Sequence, residues 1–274
     1  MTTPEPIPVQ QTADWVAARR AMEYEEPEPF MRDPLAALLV PAGARAVIVG
    51  MHGKGISSNA AVIRGRLGDE AVLRAVTEGG RQVVSLGAGS DTRAFRLNLP
   101  ADLAYFEVDL PGQLQAKSRR LESFAPRCRY VIVEADLTEN WVPALVDAGF
   151  RADLPTLWIV EGLLQHLPLP MCDWVLAGLS GASAPGSRFI GDAFDAEFFT
   201  NPGNAPVVEL VRSIGRSLTA IDDPGAWLAG HGWSAQVHRA DRLADMGHPL
   251  LDEPIPARLA DAQPGLNYLY ASFG

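Results

Sequence analysis

The chain has 274 residues, 47% of them hydrophobic and 20% charged, a balance that supplies one sizeable core and an ordinary globular surface. Its net charge of -10 opposes a phosphate backbone, and its basic cluster, Arg119, Arg120, Arg127 and Arg129, reads as a solvated helix face, so nucleic acid is not an expected partner. Two cysteines far apart in sequence, Cys128 and Cys172, exclude a disulfide framework, a CxxC pair and a cysteine zinc site.

The opening MTTPEPIPVQQ has neither a basic nor an apolar leader region. No stretch approaches the roughly 18 apolar residues of a spanning helix, so a cytoplasmic protein without a membrane partner is expected. Helices come first: one over 14–25, a second starting at Asp33-Pro34, and a third over 58–78 that Gly79-Gly80 would close. These make residues 1–80 a helical cap on one integrated domain, with 81–274 as its main body. From residue 81 short β-branched runs alternate with helix-length segments, the pattern of βαβ units and a parallel sheet. The runs are 81–86 (RQVVSL), 104–110 (AYFEVDL), 130–137 (YVIVEADL), 156–162 (TLWIVEG) and 188–194 (RFIGDAF), with helices expected over 111–123 and 171–182. Two further strands, 234–240 and 267–273, complete a seven-stranded, doubly wound α/β sheet, and the proline-rich 241–266 between them is either a surface loop or part of a substrate wall.

The densest chemical signal is VVSLGAGSDTRAFRL (83–97). Gly87 and Gly89 let the chain turn sharply and approach a ligand, because neither carries a Cβ. Glu107 and Asp109 follow Gly87 by 20 and 22 residues, where a ribose-binding carboxylate belongs. NAD and S-adenosylmethionine both satisfy that spacing. Thr92 stands where a dinucleotide fingerprint has its third glycine, and Asp91 would set a negative charge beside a pyrophosphate, whereas an adenosyl sulfonium has no phosphate to repel.

Taken together, LGAGSDTRAFRL (86–97), FEVDLP (106–111), EADL (134–137) and VEGLLQHL (160–167) resemble the leucine carboxyl methyltransferase family, in particular its bacterial branch of small-molecule and polyketide O-methyltransferases. The resemblance runs from 14–39 to HGW at 231–233. It implies a class I methyltransferase-like fold with an N-terminal helical cap, S-adenosyl-L-methionine as cofactor, and methyl transfer to a carboxylate or phenol of a small-molecule acceptor. It further implies that Gly87, Ala88 and Gly89 line the methionine part of the cofactor. Asp109, beside Leu110, would accept from the ribose hydroxyls, and Asp136 with Leu137 would hold the adenine. Arg64 would pair with the cofactor carboxylate and Glu161 with its amino group, a cation and an anion for the two ends of a zwitterion.

Arg64 and Arg66 lie two apart on a helix, so one of them is expected to face solvent, while Asp91 and Arg93 form either a surface pair or a cofactor contact. His166 stands where the family pattern has tyrosine, either orienting the acceptor or acting as its base. His52 and Lys54 sit in a glycine-rich segment that would cover the site, and Phe30, Met171, Trp174, Phe198 and Phe199 would line an apolar acceptor pocket or serve as plain core. A nicotinamide oxidoreductase and a cofactor-binding protein without activity are the competing readings, and a homo-oligomer is left open.

Overall fold

The computed structural model describes residues 9–213, 218–260 and 263–274, with side chains from residue 12 onward. Five strands run parallel: β1 (Gln82–Leu86), β2 (Ala104–Asp109), β3 (Arg129–Glu134), β4 (Leu157–Val160) and β5 (Arg188–Phe194). Antiparallel to β5, β7 (Leu266–Phe273) enters the sheet between it and the edge strand β6 (Trp233–Arg239). The order β3-β2-β1-β4-β5-β7-β6 reverses direction between β1 and β4, and ligands of open α/β sheets bind beyond the strand ends at such a switch point. Each strand is the one expected from the sequence, with ends displaced by no more than three residues.

Strand side chains alternate between two covered faces. Val83, Tyr105, Leu157 and Ile159 pack with Ile63, Leu67 and Val72 of the cap, while Val84, Phe106, Trp158 and Val160 pack with Trp141, Leu145 and Leu176 on the other face. On that second face Trp158 meets Trp141 edge-on at 6.2 Å and Phe150 at 5.5 Å, contacts that add to plain area burial.

The helices that precede the sheet, expected as a cap, are α1 (Val9–Tyr24), α2 (Ala36–Leu39), α3 (Ala44–Gly53) and α4 (Ala60–Thr77). Between the strands lie α5 (Arg93–Arg96), α6 (Gln115–Arg120), α7 (Val142–Asp147) and α8 (Leu169–Gly181). The expected closure of α4 is present, the Gly80 N–H reaching back to the Ala75 carbonyl at 2.8 Å. Helix α3 was not expected, because Gly50 and Gly53 read as loop. Packing of Ala44 and Ile48 onto Ala18 of α1 outweighs the roughly 1 kcal/mol that each helical glycine costs. His52 at its end faces Ser58 at 2.8 Å and lies away from the sheet crevice.

Between β6 and β7 the described residues form an ordered flap latched to the cap. Glu23 is fully buried and accepts from Nη1 and Nη2 of Arg258 at 2.7 Å each, from Arg19 at 3.3 Å and from the Phe30 N–H at 2.9 Å. Leu243, Leu250, Ile255 and Leu259 enter the cap-side core, and among the described residues none from this segment lines the crevice. No described helix is long and apolar enough to cross a membrane.

At the start of this flap His248 is buried against His238, with ring centroids 4.2 Å apart. Burial, then His238 and Arg74, push its imidazole down to about 3. A histidine held neutral in the fold but protonated when unfolded below about pH 6.5 contributes stability above that pH and loses it as pH falls toward the folded value. Stability should therefore decline from pH 6.5 to pH 3 by up to about 5 kcal/mol from this group. In His248→Asn, which keeps an acceptor at the Nδ1 position for the Leu250 N–H, denaturant titrations across that range should show a shallower acid limb; an identical limb would place the pH dependence elsewhere.

Candidate active site

Beyond the carboxyl ends of β1, β2, β3 and β4 lies a cavity of about 390 Å³, walled by the loops that follow those strands and by α1 and α4. Arg64, Gly87, Ala88, Gly89, Asp91, Asp109, Leu110, Asp136, Leu137, Glu161 and His166, dispersed over about a hundred residues, all line it. After β1 the chain turns through Gly87 and Gly89 at φ of +63° and +48°, a left-handed path that strains any side-chain-bearing residue. That turn presents the Gly89 N–H to Oδ2 of Asp109 at 2.8 Å, while Oδ1 accepts from the Leu110 N–H at 2.8 Å. Burial raises the Asp109 pKa, and these two amides oppose the shift. Asp136, expected as an adenine contact, closes a local turn, accepting from the N–H and hydroxyl of Thr138 at 2.8 and 2.7 Å.

Behind the turn, one guanidinium joins four elements. Arg93, 2% exposed, donates through Nε to Asp69 at 2.8 Å, through Nη1 to Asp91 at 3.2 Å, and through Nη2 to both oxygens of Glu161 at 3.0 Å. Its pKa rises well above the ordinary value, because Glu161, Asp91 and Asp69 outweigh the cost of burial. Glu161 moves upward through burial, against the opposing pull of Arg93 and Arg64. Helix α4 approaches closely enough only because residue 68 is glycine, since a Cβ there would collide with Glu161 and Arg93.

Asp91 and Arg93 are therefore no surface pair. The Asp91 carboxylate, 6% exposed, takes the Arg93 N–H at 2.8 Å and the Tyr105 hydroxyl at 2.8 Å, and Arg93 and Lys117 hold its pKa low despite burial. Both oxygens of the Asp91 carboxylate are thus engaged by protein donors. Lys117 also meets Glu107, which burial raises to about 7, and Tyr130 donates to the same carboxylate at 2.5 Å.

Arg64 does face the cavity, with Nη1 on Oδ2 of Asp192 at 3.0 Å, while Oδ1 of Asp192 takes the Gly162 N–H at 2.7 Å. Arg66 faces the other way but is ion-paired with Glu70 at 3.0 Å and Glu253 at 3.2 Å. Asp192 escaped the sequence reading although RFIGDAF put a carboxylate inside a buried strand, the same signal that singled out Glu161. None of the five candidate wall residues lines the cavity: Phe30 and Phe198 belong to the cap-side core and Trp174 is exposed. Among the described residues no cluster of three His, Cys, Asp or Glu side chains is arranged to hold a metal.

This strand order, with a glycine turn after β1 and an acid closing β2, defines a class I methyltransferase fold. A methyltransferase structure from Thermobifida fusca shares it at a TM-score of 0.68, with 15% identity over 98% of this chain and 96% of that one. A DUF574 family protein from Streptomyces avermitilis does so at 0.63, with 14% identity over 98% of each. Residues 13–180 match the family described as leucine carboxyl methyltransferase. Relatives named as S-adenosyl-L-methionine-dependent methyltransferases are 37% identical in Mycolicibacterium smegmatis (88% of this chain, 86% of the relative) and 36% identical in Streptomyces avermitilis (91% and 92%). The chain belongs to the leucine carboxyl methyltransferase family and is an S-adenosylmethionine-dependent methyltransferase, which removes the nicotinamide and inactive-protein readings.

Removing Arg93 would leave three buried carboxylates short of a cation. Arg93→Met should destabilise the protein by about 3–5 kcal/mol, read as a fall in Tm or in denaturant midpoint. A melting curve matching the parent would show that the network does not hold α4 to the sheet.

Proposed function

We propose that the protein transfers the methyl group of S-adenosylmethionine to an oxygen of a small acceptor, a carboxylate or phenol of the polyketide or natural-product kind. The observation that carries the reading is the doubly anchored Asp109 at one end of the cavity and the Arg64–Glu161 pair at the other. The ends of β2 and β4 are separated by two strand spacings, about 10 Å, so one elongated ligand meets both. The donor set suits this cofactor. Each Asp109 oxygen holds one backbone N–H and keeps a lone pair for a ribose hydroxyl, and Arg64 uses only Nη1 among the described residues, leaving donors for a carboxylate.

In this reading Gly87, Ala88 and Gly89 flank the methionine chain, Leu110 lies beside the ribose, and Asp136 with Leu137 holds the adenine edge and face. Glu161 receives the ammonium, and residues 1–80 act as the cap that keeps water from the reacting end. Bound there, the cofactor supplies an electrophilic methyl on a sulfonium, and the protein contributes mainly by holding the acceptor in line with it. His166, on the same wall, orients an acceptor that is already an ionised carboxylate, and takes a proton from one that is a hydroxyl. Methyl transfer from labelled cofactor to a panel of small carboxylates and phenols tests the reading, which fails if no oxygen becomes methylated.

Asp109→Ala should weaken S-adenosylhomocysteine binding by about 1–3 kcal/mol in calorimetry, through loss of a charged acceptor for the ribose. Unchanged affinity in the folded variant would refute the ribose assignment. Arg64→Ala and Glu161→Ala should each lower affinity for S-adenosylhomocysteine yet leave 5′-methylthioadenosine, which lacks the amino-acid tail, bound as before. Equal losses for both ligands would mean that these two residues shape the cavity instead of gripping the tail.

A further inference from the structure

Arg64 and Glu161 carry opposite charges on the wall of one cavity, yet among the described residues no ion pair joins them. They are close neighbours. A Cβ on Gly162 would lie 2.9 Å from Nη2 and 3.0 Å from Cζ of Arg64, so the guanidinium rests on the bare backbone of the residue directly after Glu161. Opposite charges this near to each other in a partly buried site attract strongly, and a pair that closes on itself leaves neither end for a ligand.

Asp192 keeps them apart. It is 2% exposed on β5, and it takes Nη1 of Arg64 on Oδ2 at 3.0 Å and the Gly162 N–H on Oδ1 at 2.7 Å. One carboxylate therefore fixes both the guanidinium and the backbone beside Glu161. Nε2 of Gln165 reaches Oδ2 only at 3.5 Å, and Arg64 is the one ion-pair partner of Asp192 among the described residues. Burial alone would lower the Arg64 pKa, but Asp192 and after it Glu161 raise it above the ordinary value, so Glu161 already pulls on the guanidinium that Asp192 holds. Glu161 in turn is drawn the other way by Nη2 of Arg93, which meets both of its oxygens.

We propose that Asp192 is a positioning residue that stops Arg64 from closing on Glu161, so that the cavity holds a separated cation and anion and selects a ligand whose own charges are separated in the same way, the zwitterionic amino-acid tail. This rests on the tail assignment made above. Without the Asp192 charge, the carboxylate still acting on Arg64 is Glu161, and a guanidinium that swings onto it occupies both subsites at once. A ligand with the tail must then break that pair before it binds, whereas a ligand without the tail need not.

Calorimetry on the full chain with S-adenosylhomocysteine and with 5′-methylthioadenosine tests the proposal. Asp192→Asn, uncharged and close in size, should weaken S-adenosylhomocysteine at least about ten-fold and change 5′-methylthioadenosine less than about two-fold. In a Glu161→Gln background, where Arg64 has no carboxylate to close on, adding Asp192→Asn should cost less than about a further two-fold. Three results overturn the proposal. Equal weakening of both ligands would make Asp192 a structural residue only. S-adenosylhomocysteine bound as tightly as by the parent, or more tightly, would mean that Asp192 merely neutralises Arg64. An undiminished loss in the Glu161→Gln background would show that the effect does not pass through Glu161. Failure of the tail assignment shows separately, as equal losses of both ligands in Arg64→Ala and Glu161→Ala, and takes this proposal with it. Where Asp192→Asn fails to fold, Asp192→Ser, which removes the charge and keeps a hydroxyl for the Gly162 N–H, carries the same comparison.

Discussion

A buried guanidinium must find anions or leave the interior, and Arg93 finds three. Its partners come from α4, from the turn after β1 and from the end of β4, so satisfying one side chain brings three remote parts of the chain to one point. The same contacts settle how close the cap comes to the sheet. Each carboxylate in turn needs the cation, since an ion left unpaired there costs several kcal/mol. Asp69 extends the network to Arg96 at 2.6 Å, and Thr92 extends it to Asp33 at 2.8 Å in the cap.

That network shapes the electrostatics of the cavity. Glu161 is anchored from behind by Arg93, and Arg64 from behind by Asp192, so the two side chains that face the cavity as anion and cation are both held in place before a ligand arrives. Pre-set partners of this kind spare a ligand the cost of ordering them. Asp109 follows the same rule with backbone amides in place of a cation. Val16, Leu163 and Leu167 add apolar wall to these charged groups.

The flap between β6 and β7 acts at a distance from this chemistry. Its Arg258 closes on the buried Glu23 of α1, and Glu253 reaches Arg66 on the outer side of α4. Arg66 lies on the opposite side of α4 from Arg64, and Glu23 lies about two turns along α1 from Val16, so both contacts fix helices that also line the cavity. The latch therefore bears on the site through the cap, without touching a ligand.

Much of this was legible in the chain itself. Short β-branched and aromatic runs mark the strands because a strand buried on both faces, as β1, β2 and β4 are, has few alternatives to such residues. Glycines at 87 and 89 and acids at 109 and 161 stand out because each is a poor choice for an ordinary strand end, and all four line the one cavity beyond the strand ends. Partnership is another matter. The sequence leaves open whether Asp91 and Arg93 meet solvent or a ligand, and nothing in it joins Arg93 to Asp69, Arg64 to Asp192 or Glu23 to Arg258, pairs separated by 24, 128 and 235 residues. Helix α3 was hidden for the same reason, its glycines arguing locally against a helix that packing on α1 sustains. Periodicity and turn chemistry are properties of neighbours along the chain, and so they can be read from it. Which charge neutralises which is decided only when folding removes water and makes every buried ion choose a partner.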